Sequence, residues 1–387
     1  MPKVTVIVPC YNVAGYIDRC LSSVMHQSFA DYELVLIDDG SKDGTLEKCV
    51  AWKQRDGRII LVSRHNAGLG AARNLGISIA RGEYVTFLDA DDWWREDYLA
   101  QMVQGAQNGQ NDLVVCDFNF VNEGNGETKT KRSVLRLPGG TIPKPTATHL
   151  LSRARTQAWG KMYRRSLFTD NNVQEPHHAY EDVATTPYLV AKANSVYRVP
   201  EALYFYVRNR EGSIINHFPS LGDLLLSLTE LAERFRADNL FDAYYHQLRR
   251  IFWGELCFLH RMLNTKFAAN DGKKAAALRD ECERIVYGIF LELETFAKIR
   301  FYVGNDDLLA KAVGCVVLQR EQIVRDASDL RKTDIAVRLE ESALPDDFDG
   351  EVIRVAPPSS DNDDPERPVW DLADDVFDKM WEMGKLQ

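Results

Sequence analysis

The fold of this chain is decided by the stretch Tyr84-Val85-Thr86-Phe87-Leu88-Asp89-Ala90-Asp91-Asp92-Trp93, in which an apolar run ends in three carboxylates. The run is short, β-branched and aromatic, which is typical of a buried strand. In an open α/β sheet, ligands bind at the carboxyl end of such a strand. Asp89 and Asp91 share one face of an extended chain, and carboxylate oxygens suit Mg²⁺ or Mn²⁺ together with substrate phosphates. The stretch therefore predicts a metal-bridged phosphate donor, with an ordinary helix N-terminus capped by Asp92 as the alternative.

Strand and helix patterns alternate through the first third of the chain. Apolar runs and amphipathic stretches predict, in order, strand 4–9, helix 14–27, strand 32–39, helix 45–55, strand 59–63 and helix 69–80. A further strand is predicted at 112–117. Strands that alternate with helices form right-handed βαβ crossovers. We therefore expect an α/β fold with a Rossmann-related, mostly parallel sheet flanked by helices.

The hydrophobic period changes near residue 217. Helical spacing dominates from about 219 to 333, which predicts an all-helical C-terminal module over 218–340. From 341 the chain is acidic and proline-containing, as is typical of a mobile linker. Apolar residues at helical spacing within 369–381 predict a short terminal amphipathic helix. The expected domains are thus 1–217, 218–340 and 341–387.

Composition narrows the functional class. The net charge of −10 argues against nucleic acid as the main partner. The seven cysteines form no CxxC pair, so buried free thiols are expected rather than a zinc site or a disulfide framework. No apolar run is long enough to span a bilayer, and no signal peptide precedes the first strand. We therefore expect a cytoplasmic protein, including one that acts at the inner face of the membrane.

Two more motifs follow predicted strands. In Pro9-Cys10-Tyr11-Asn12, Pro9 ends the strand ladder and Tyr11 offers a ring suited to stacking on a base. In Asp38-Asp39-Gly40-Ser41-Lys42-Asp43-Gly44, Asp39 is placed to accept hydrogen bonds from a base or a ribose, and Asp43 to cap the next helix. Taken alone, the first motif is better explained as a plain turn with a packing tyrosine, and the capping role of Asp43 in the second motif is a structural one.

A third motif opens the helix predicted at 69–80. It reads Asn66-Ala67-Gly68-Leu69-Gly70-Ala71-Ala72-Arg73-Asn74-Leu75-Gly76. Its glycines allow a close backbone approach to a phosphate or sugar at the helix N-terminus, and Arg73 is the candidate contact along the cleft. The dinucleotide fingerprint G-x-G-x-x-G does not follow the first strand, so a nicotinamide or flavin cofactor is not indicated.

The four motifs in this order closely resemble those of family 2 glycosyltransferases of the GT-A fold, over roughly residues 3–217. The resemblance implies a nucleotide-sugar donor, usually a UDP-sugar, and a divalent metal, Mn²⁺ or Mg²⁺. Position by position, it assigns nucleoside binding to Pro9, Tyr11 and Asp39, a donor contact to Arg73, and a ribose or nucleoside contact to Asp89. In the Asp-x-Asp pattern, Asp91 resembles the metal ligand that bridges the diphosphate.

The resemblance places the second half of the site in 158–164 and 177–182. It gives Asp182 the role of catalytic base and Glu181 that of an acceptor-side acid, with Trp159 and Lys161 as acceptor or phosphate contacts. Inversion needs a carboxylate that takes the acceptor proton while the nucleoside diphosphate leaves from the opposite face. Gly160 stands where the family often has Asn, so a polar contact there is missing or supplied elsewhere. His177 and His178 receive no role.

The segment 204–214 resembles the closing segment of the family. Arg208 and Arg210 are expected to clamp phosphates as bidentate donors. Related enzymes often supply a third metal ligand here, frequently histidine, but position 210 is arginine. His217 is the alternative ligand, and an ordinary surface histidine is the simpler interpretation.

The resemblance therefore indicates an inverting, metal-dependent hexosyl- or N-acetylhexosaminyltransferase. The acceptor it implies is a glycan or lipid-linked glycan in cell-surface polysaccharide synthesis, with peripheral membrane association and homo-oligomerisation through the helical module both compatible. A nucleotidyltransferase acting on sugar phosphates is the alternative enzyme, although it calls for a glycine-rich basic loop after the first strand. A catalytically degenerate scaffold is the non-enzymatic alternative. The sugar, the linkage and the acceptor stay open.

Overall fold

The structure is a computed structural model of the 387-residue chain. It describes residues 1–124, 126–131, 139–143, 151, 154–208, 220–264 and 272–290, together with four short strands between 301 and 355. The chain divides into two compact units, Met1–Leu248 and Arg249–Gln387. The unit Met1–Leu248 contains the motifs of the predicted site that fall on described residues.

The first half of the main sheet is parallel and has strand order β3-β2-β1-β4. Its elements, in chain order, are β1 (Val4–Cys10), α1 (Ile17–Met25), β2 (Tyr32–Asp38), α2 (Thr45–Arg55), β3 (Ile59–Ser63), α3 (Leu69–Ile79) and β4 (Tyr84–Phe87). Every residue of β1, β2 and β4 is buried, as expected for strands covered by helices on both faces. The predicted alternation of strands and helices is therefore confirmed.

The second half of the sheet is mixed. It contains β5 (Trp93–Trp94), α4 (Tyr98–Gly105), β6 (Leu113–Asn122), β7 (Thr128–Lys131), β8 (Gly140–Pro143), β9 (Lys161–Arg164), α5 (Ser166–Thr169), α6 (Glu181–Lys192) and β10 (Ser195–Arg208). Strand β9 lies between β4 and β6 and runs antiparallel to both. Strand β10 is parallel to β6 and antiparallel to β5 and β8. The α/β class is confirmed, but the sheet is mixed rather than mostly parallel, because β9 runs antiparallel to both of its neighbours and β10 is antiparallel to β5 and β8.

Helix α7 (Ser220–Ala237) belongs to the first compact unit. Its buried residues include Leu221, Leu224, Leu228 and Leu231, the apolar stripe that the sequence predicts. The helix packs against α6, so this unit extends past residue 217, where the sequence places its first boundary. The three-domain division stays a prediction.

Further along the chain lie α8 (Tyr245–Met262) and α9 (Gly272–Ile289), both helical as predicted. A four-stranded parallel sheet follows, in the order β12-β11-β13-β14, made of β11 (Phe301–Tyr302), β12 (Ile323–Val324), β13 (Ile335–Leu339) and β14 (Glu351–Val355). The prediction of an all-helical module followed by a linker is therefore wrong at these strands. In β13, Ile335 and Val337 alternate with other residue types, and β14 contains the β-branched residues Val352, Ile353 and Val355; both features favour strands. The terminal helix predicted at 369–381 lies outside the described residues.

The described part of the chain bears on two general predictions, one about the state of the cysteines and one about membrane-spanning segments. Its cysteines are buried free thiols, namely Cys10, Cys20, Cys49, Cys116, Cys257 and Cys282. Of the helices the structure describes, none has both the length and the apolar character needed to cross a bilayer.

Candidate active site

Asp89 and Asp91 follow β4 at the edge of the sheet. The Asp89 side chain is 22% exposed, and its backbone N–H donates to the Tyr204 hydroxyl at 3.2 Å. Asp91 is half-buried, and its carbonyl oxygen accepts a hydrogen bond from the Arg19 guanidinium at 2.9 Å. Two carboxylates with partial solvent access therefore end this strand, as the sequence predicts.

Asp92 is fully buried and does not cap a helix. Its carboxylate accepts hydrogen bonds from the Tyr204 hydroxyl at 2.6 Å and from the Val207 N–H at 2.8 Å. Burial raises the pKa of Asp92 well above its ordinary value, and the charges of Asp91 and Asp89 raise it further. The cap alternative is therefore wrong, because Asp92 attaches the acidic stretch to β10 and α4 begins only at Tyr98.

Arg73 connects the strand-end acid to the second half of the predicted site. Its side chain is 1% exposed, and its guanidinium contacts three carboxylates: Asp89 at 3.1 Å, Glu175 at 3.1 Å and Glu181 at 2.7 Å. Asp182 is close enough to stabilise the charge of Arg73 as well. The motif of α3, the acids after β4 and the acids at the start of α6 thus meet in one acidic cluster, defined as Arg73, Asp89, Glu175, Glu181 and Asp182.

Three acids of this cluster, Glu175, Glu181 and Asp182, hold their protons more tightly than ordinary carboxylic acids, because burial raises the pKa of each. Burial raises the pKa of Glu181 to about 8, although the positive charge of Arg73 opposes the shift. Burial likewise raises the pKa of Asp182, while Arg73 lowers it and the negative charge of Asp89 raises it further. Four carboxylates surround one guanidinium, so ionising all of them is unfavourable.

Lys161 is the second cation beside the acidic cluster. It begins β9, is 1% exposed, and donates from Nζ to the carbonyl oxygen of Gln157 at 2.5 Å. Burial lowers the pKa of Lys161 to about 7, and the nearby Asp182 charge limits the decrease. The lysine is therefore a charge neighbour of Asp182 rather than an exposed phosphate ligand.

The nucleoside end of the predicted site has an exposed ring and a buried acid. Tyr11 is 46% exposed, which leaves its ring available for stacking, whereas Pro9 lies within the buried strand β1. Asp39 is buried; its carboxylate accepts hydrogen bonds from the N–H groups of Ala67 and Gly68, the shorter at 2.8 Å. Asp39 thus shapes the loop before α3, and any contact with a base would use its remaining lone pairs.

The glycines that open α3 bring it close to another segment of the chain itself. Gly68 has φ +92°, and a Cβ on Gly70 would lie 1.9 Å from the carbonyl oxygen of Pro176. The side chain of Asn74 also exchanges two 2.8 Å hydrogen bonds with the backbone of Glu175. The close approach expected for a phosphate is made here by the chain segment 175–177.

The remaining predicted contacts are less closely grouped. Trp159 is 7% exposed and stacks between Tyr204 and Tyr206, with ring centroids 4.5 and 5.0 Å away, so it packs in an aromatic cluster. Arg208 is exposed, and its guanidinium lies 4.7 Å from the ring centroid of Phe120. Arg210 and His217 lie outside the described residues.

A divalent metal fits this site only with help from its ligand. Among the described residues, no three metal-binding side chains lie close enough together to hold an ion by themselves. Mg²⁺ and Mn²⁺ often take one or two carboxylates and complete their coordination with water and substrate phosphate. Asp91 and Asp89, partly exposed at the strand end, match such a donor set.

Sequence reasoning missed Glu175 and the structural use of Asp92. Each of the two acts through a partner far along the chain: Arg73 lies 102 residues before Glu175, and Tyr204 lies 112 residues after Asp92. A signal for Asp92 was its position directly after an acid pair, where a third exposed charge would add repulsion. No local pattern marks Glu175.

Comparisons with known proteins show which family the chain is similar to. The family model described as glycosyl transferase family 2 matches residues 5–171. EpsH of Bacillus subtilis is 30% identical over 244 residues, which cover 62% of this chain and 70% of EpsH. Glycosyltransferase GlyA of Streptococcus pneumoniae is 34% identical over 178 residues, and the match covers 43% of this chain but only 25% of GlyA.

Solved structures share the fold at lower identity. The chain is similar to residues 1–349 of S. aureus TarS, with a TM-score of 0.57 and 21% identity, over 76% of this chain and 82% of that one. The same TarS fragment in complex with UDP-GlcNAc gives a TM-score of 0.50 over 75% of this chain and 92% of that one.

Proposed function

Because the chain belongs to glycosyltransferase family 2, we propose that it transfers a sugar from a UDP-sugar to a hydroxyl group of a glycan or a lipid-linked glycan. The observation that carries the proposal is the position of Arg73, which contacts both Asp89 and Glu181. A single guanidinium therefore joins the donor-side acid to the acid pair that contains the candidate base. A nucleotide-sugar and an acceptor bound on either side of it would meet at the acidic cluster.

Asp182 is the proposed base of an inverting transfer. Its carboxylate takes the proton of the acceptor hydroxyl as the acceptor oxygen attacks the anomeric carbon, while the bond to the nucleoside diphosphate breaks on the opposite face. A general base works best when its pKa is close to the operating pH, and burial raises the pKa of Asp182 in that direction. Arg73 and Lys161 favour the ionised form that the step requires.

The donor is proposed to lie along the edge formed by Tyr11, Asp39, Asp89 and Asp91. The exposed Tyr11 ring suits stacking on the base, while Asp39 keeps the loop at 64–68 in place. Asp91, with Asp89, would hold a divalent cation, Mn²⁺ or Mg²⁺. When bound, such an ion offsets the negative charge of the departing diphosphate. TarS, which shares the fold, has been solved with UDP-GlcNAc.

Other parts of the proposal rest on the sequence alone. Arg208 and Arg210 are proposed as phosphate or acceptor contacts. A cytoplasmic location, an acceptor presented at the inner membrane face, and a homo-oligomer built on the region after residue 217 also remain predictions.

Titration calorimetry of UDP and UDP-sugars tests the donor site. We expect binding with Mn²⁺ present, little binding with chelator, and weaker Mn²⁺-dependent binding for Asp91→Asn because a proposed metal ligand loses its charge. Asp31→Asn is the matched control, since Asp31 is exposed and lies outside the site. Metal-independent binding would contradict the metal assignment, and no binding of any UDP compound to folded protein would contradict the donor class.

A further inference from the structure

One face of α7 is polar and contacts the segment that leads into Asp182. Four residues spaced 4, 3 and 4 apart form this face, which we call the α7 polar stripe: Asp223, Ser227, Glu230 and Arg234. Such spacing places side chains in a row along one side of a helix. Each member makes a polar contact with residues 174–180.

The first two members of the stripe hold the backbone just before the acid pair. The N–H of Ala179 donates to the Asp223 carboxylate at 3.0 Å. The Ser227 hydroxyl donates to the carbonyl oxygen of Tyr180 at 2.8 Å, and Ser227 is fully buried. Loss of the Ser227 hydroxyl would leave this partly buried carbonyl with one hydrogen-bond partner fewer.

Tyr180 has an unusual backbone conformation that needs such support. Its φ of 60° and ψ of 30° lie in the left-handed region, which residues other than glycine rarely adopt. Such conformations persist where surrounding contacts determine them, and they are common at functional sites. Because Glu181 and Asp182 follow directly, the turn at Tyr180 sets the direction in which α6 and its acids begin.

The last two members of the stripe hold the same segment at residues further upstream. Nε2 of His178 lies 3.0 Å from a carboxylate oxygen of Glu230, and the Arg234 guanidinium donates to the carbonyl oxygen of Gln174 at 2.6 Å. The segment is also attached to α3, through Arg73 and Asn74 at Glu175. The segment 174–180 is therefore held by two helices from different parts of the chain, α3 and α7.

We propose that α7 is a positioning element of the active site: its polar stripe holds the left-handed turn at Tyr180 and thereby aims Asp182 at the acceptor hydroxyl. The inference rests on the proposed role of Asp182 as base. The stripe residues do not touch the substrates; they act through the backbone of 174–180. Misplacing a catalytic group by about 1 Å can lower a rate by roughly 100-fold, so loss of these contacts should be visible in turnover.

Two substitutions and their controls test the proposal in the full-length chain. Asp223→Ala and Ser227→Ala each remove one contact with the turn. Asp223→Asn retains an oxygen that accepts the Ala179 N–H and serves as the conservative replacement. Glu233→Ala is the matched control, because Glu233 is an exposed acid on the same helix. The readouts are kcat and the donor KM for UDP release from UDP-GlcNAc, UDP-glucose and UDP-galactose with water as acceptor, and hydrogen exchange of peptides covering 174–182.

For Asp223→Ala and Ser227→Ala we expect a roughly 10- to 100-fold lower kcat, an unchanged donor KM, and faster exchange confined to 174–182. Asp223→Asn should recover most of the rate, and Glu233→Ala should behave as the unaltered protein. Wild-type kcat in both alanine variants, or unchanged exchange in 174–182, would overturn the proposal. If the unaltered protein released no UDP from any of the three donors, the proposed function would be contradicted, while the exchange data would still decide whether α7 holds the turn.

Discussion

Arg73 shows how one residue can organise a site without being exposed to its ligands. The guanidinium is enclosed by Asp89, Glu175 and Glu181. Removing one partner of a buried ion pair commonly costs about 3–5 kcal/mol, because the remaining charge is left in a medium that solvates it poorly. The motif resemblance assigned Arg73 a donor contact; the structure gives it protein partners, and a donor contact would pass through Asp89.

At the residue scale, Asp182→Asn separates chemistry from binding. We expect sugar transfer to fall by roughly 100-fold or more, since an amide cannot take the acceptor proton. UDP binding should be nearly unchanged, because the proposed nucleoside contacts lie on other elements. Parallel measurements of UDP release and of UDP affinity by calorimetry, with Asp31→Asn as control, check this. Transfer at the wild-type rate would show that another group acts as base.

The pH dependence of transfer is a second residue-scale prediction. Asp182 acts as a base only when ionised, and burial raises its pKa, so activity is lost as the pH falls through a value above the ordinary aspartate pKa of about 3.9. Lys161→Met removes a positive charge that favours ionised Asp182, and should move this acidic limb to higher pH.

A pH profile of kcat/KM for the unaltered protein, Lys161→Met and the control Lys273→Met checks both statements. Lys273 is exposed on α9, so its replacement should leave the profile unchanged. An acidic limb that stays in place in Lys161→Met would argue that the two side chains do not interact.

Whether a site residue could be predicted from the sequence depends on whether the feature that explains it lies in the same motif or far along the chain. Asp39, Asp89, Asp91 and Asp182 sit in local motifs; Asp89 and Asp182 lie beside Arg73, and the roles of all four stay predictions. Glu175 has no local mark, because its carboxylate is explained only by a guanidinium brought near by the fold. The sequence shows charges, whereas their partners are set by tertiary structure.

At the element scale, α3 and the segment 175–177 fit together because glycine leaves room. The absence of a Cβ at Gly70 allows the carbonyl oxygen of Pro176 to approach the helix. A side chain there would push away the segment that carries Glu175 and leads to Asp182. The glycines of this motif therefore serve the fit between two parts of the chain.

Gly70→Ala should destabilise the protein by about 3 kcal/mol, the upper part of the range for overpacking, since the atom that must move belongs to the backbone. Gly15→Ala is the control, because a Cβ there meets nothing within 4 Å. Chemical denaturation of both variants gives the comparison. Equal stability would mean that the segment shifts without cost.

Some elements were predictable and others were not. The strands and helices up to β4 have strong hydrophobic periods and short connections, so both type and order are readable. Strand β9 has only four residues, and its antiparallel insertion beside β4 depends on partners on both sides. The α7 polar stripe is visible in the sequence as a 4-3-4 spacing. The prediction for this helix, however, rested only on the leucines that lie beside the stripe.

At the scale of the whole molecule, the region matched by the family model is smaller than the unit that forms the site. The match ends at residue 171, whereas Asp182 and the α7 polar stripe lie beyond it. All of them belong to the compact unit Met1–Leu248. The donor side of the site comes from the matched region, and the proposed base is held by elements that follow it.

The partners of Arg73 also fix an order of events during translation. Glu175 and Glu181 are synthesised 102 and 108 residues after Arg73. At about 5–20 residues per second, this distance corresponds to a delay of roughly 5–20 s. Until those residues leave the ribosome, Asp89 is the only one of these three carboxylate partners that the nascent chain can offer to Arg73, and we expect α3 to remain loosely held. The proposed donor edge and the proposed base would then become ordered together, late in synthesis.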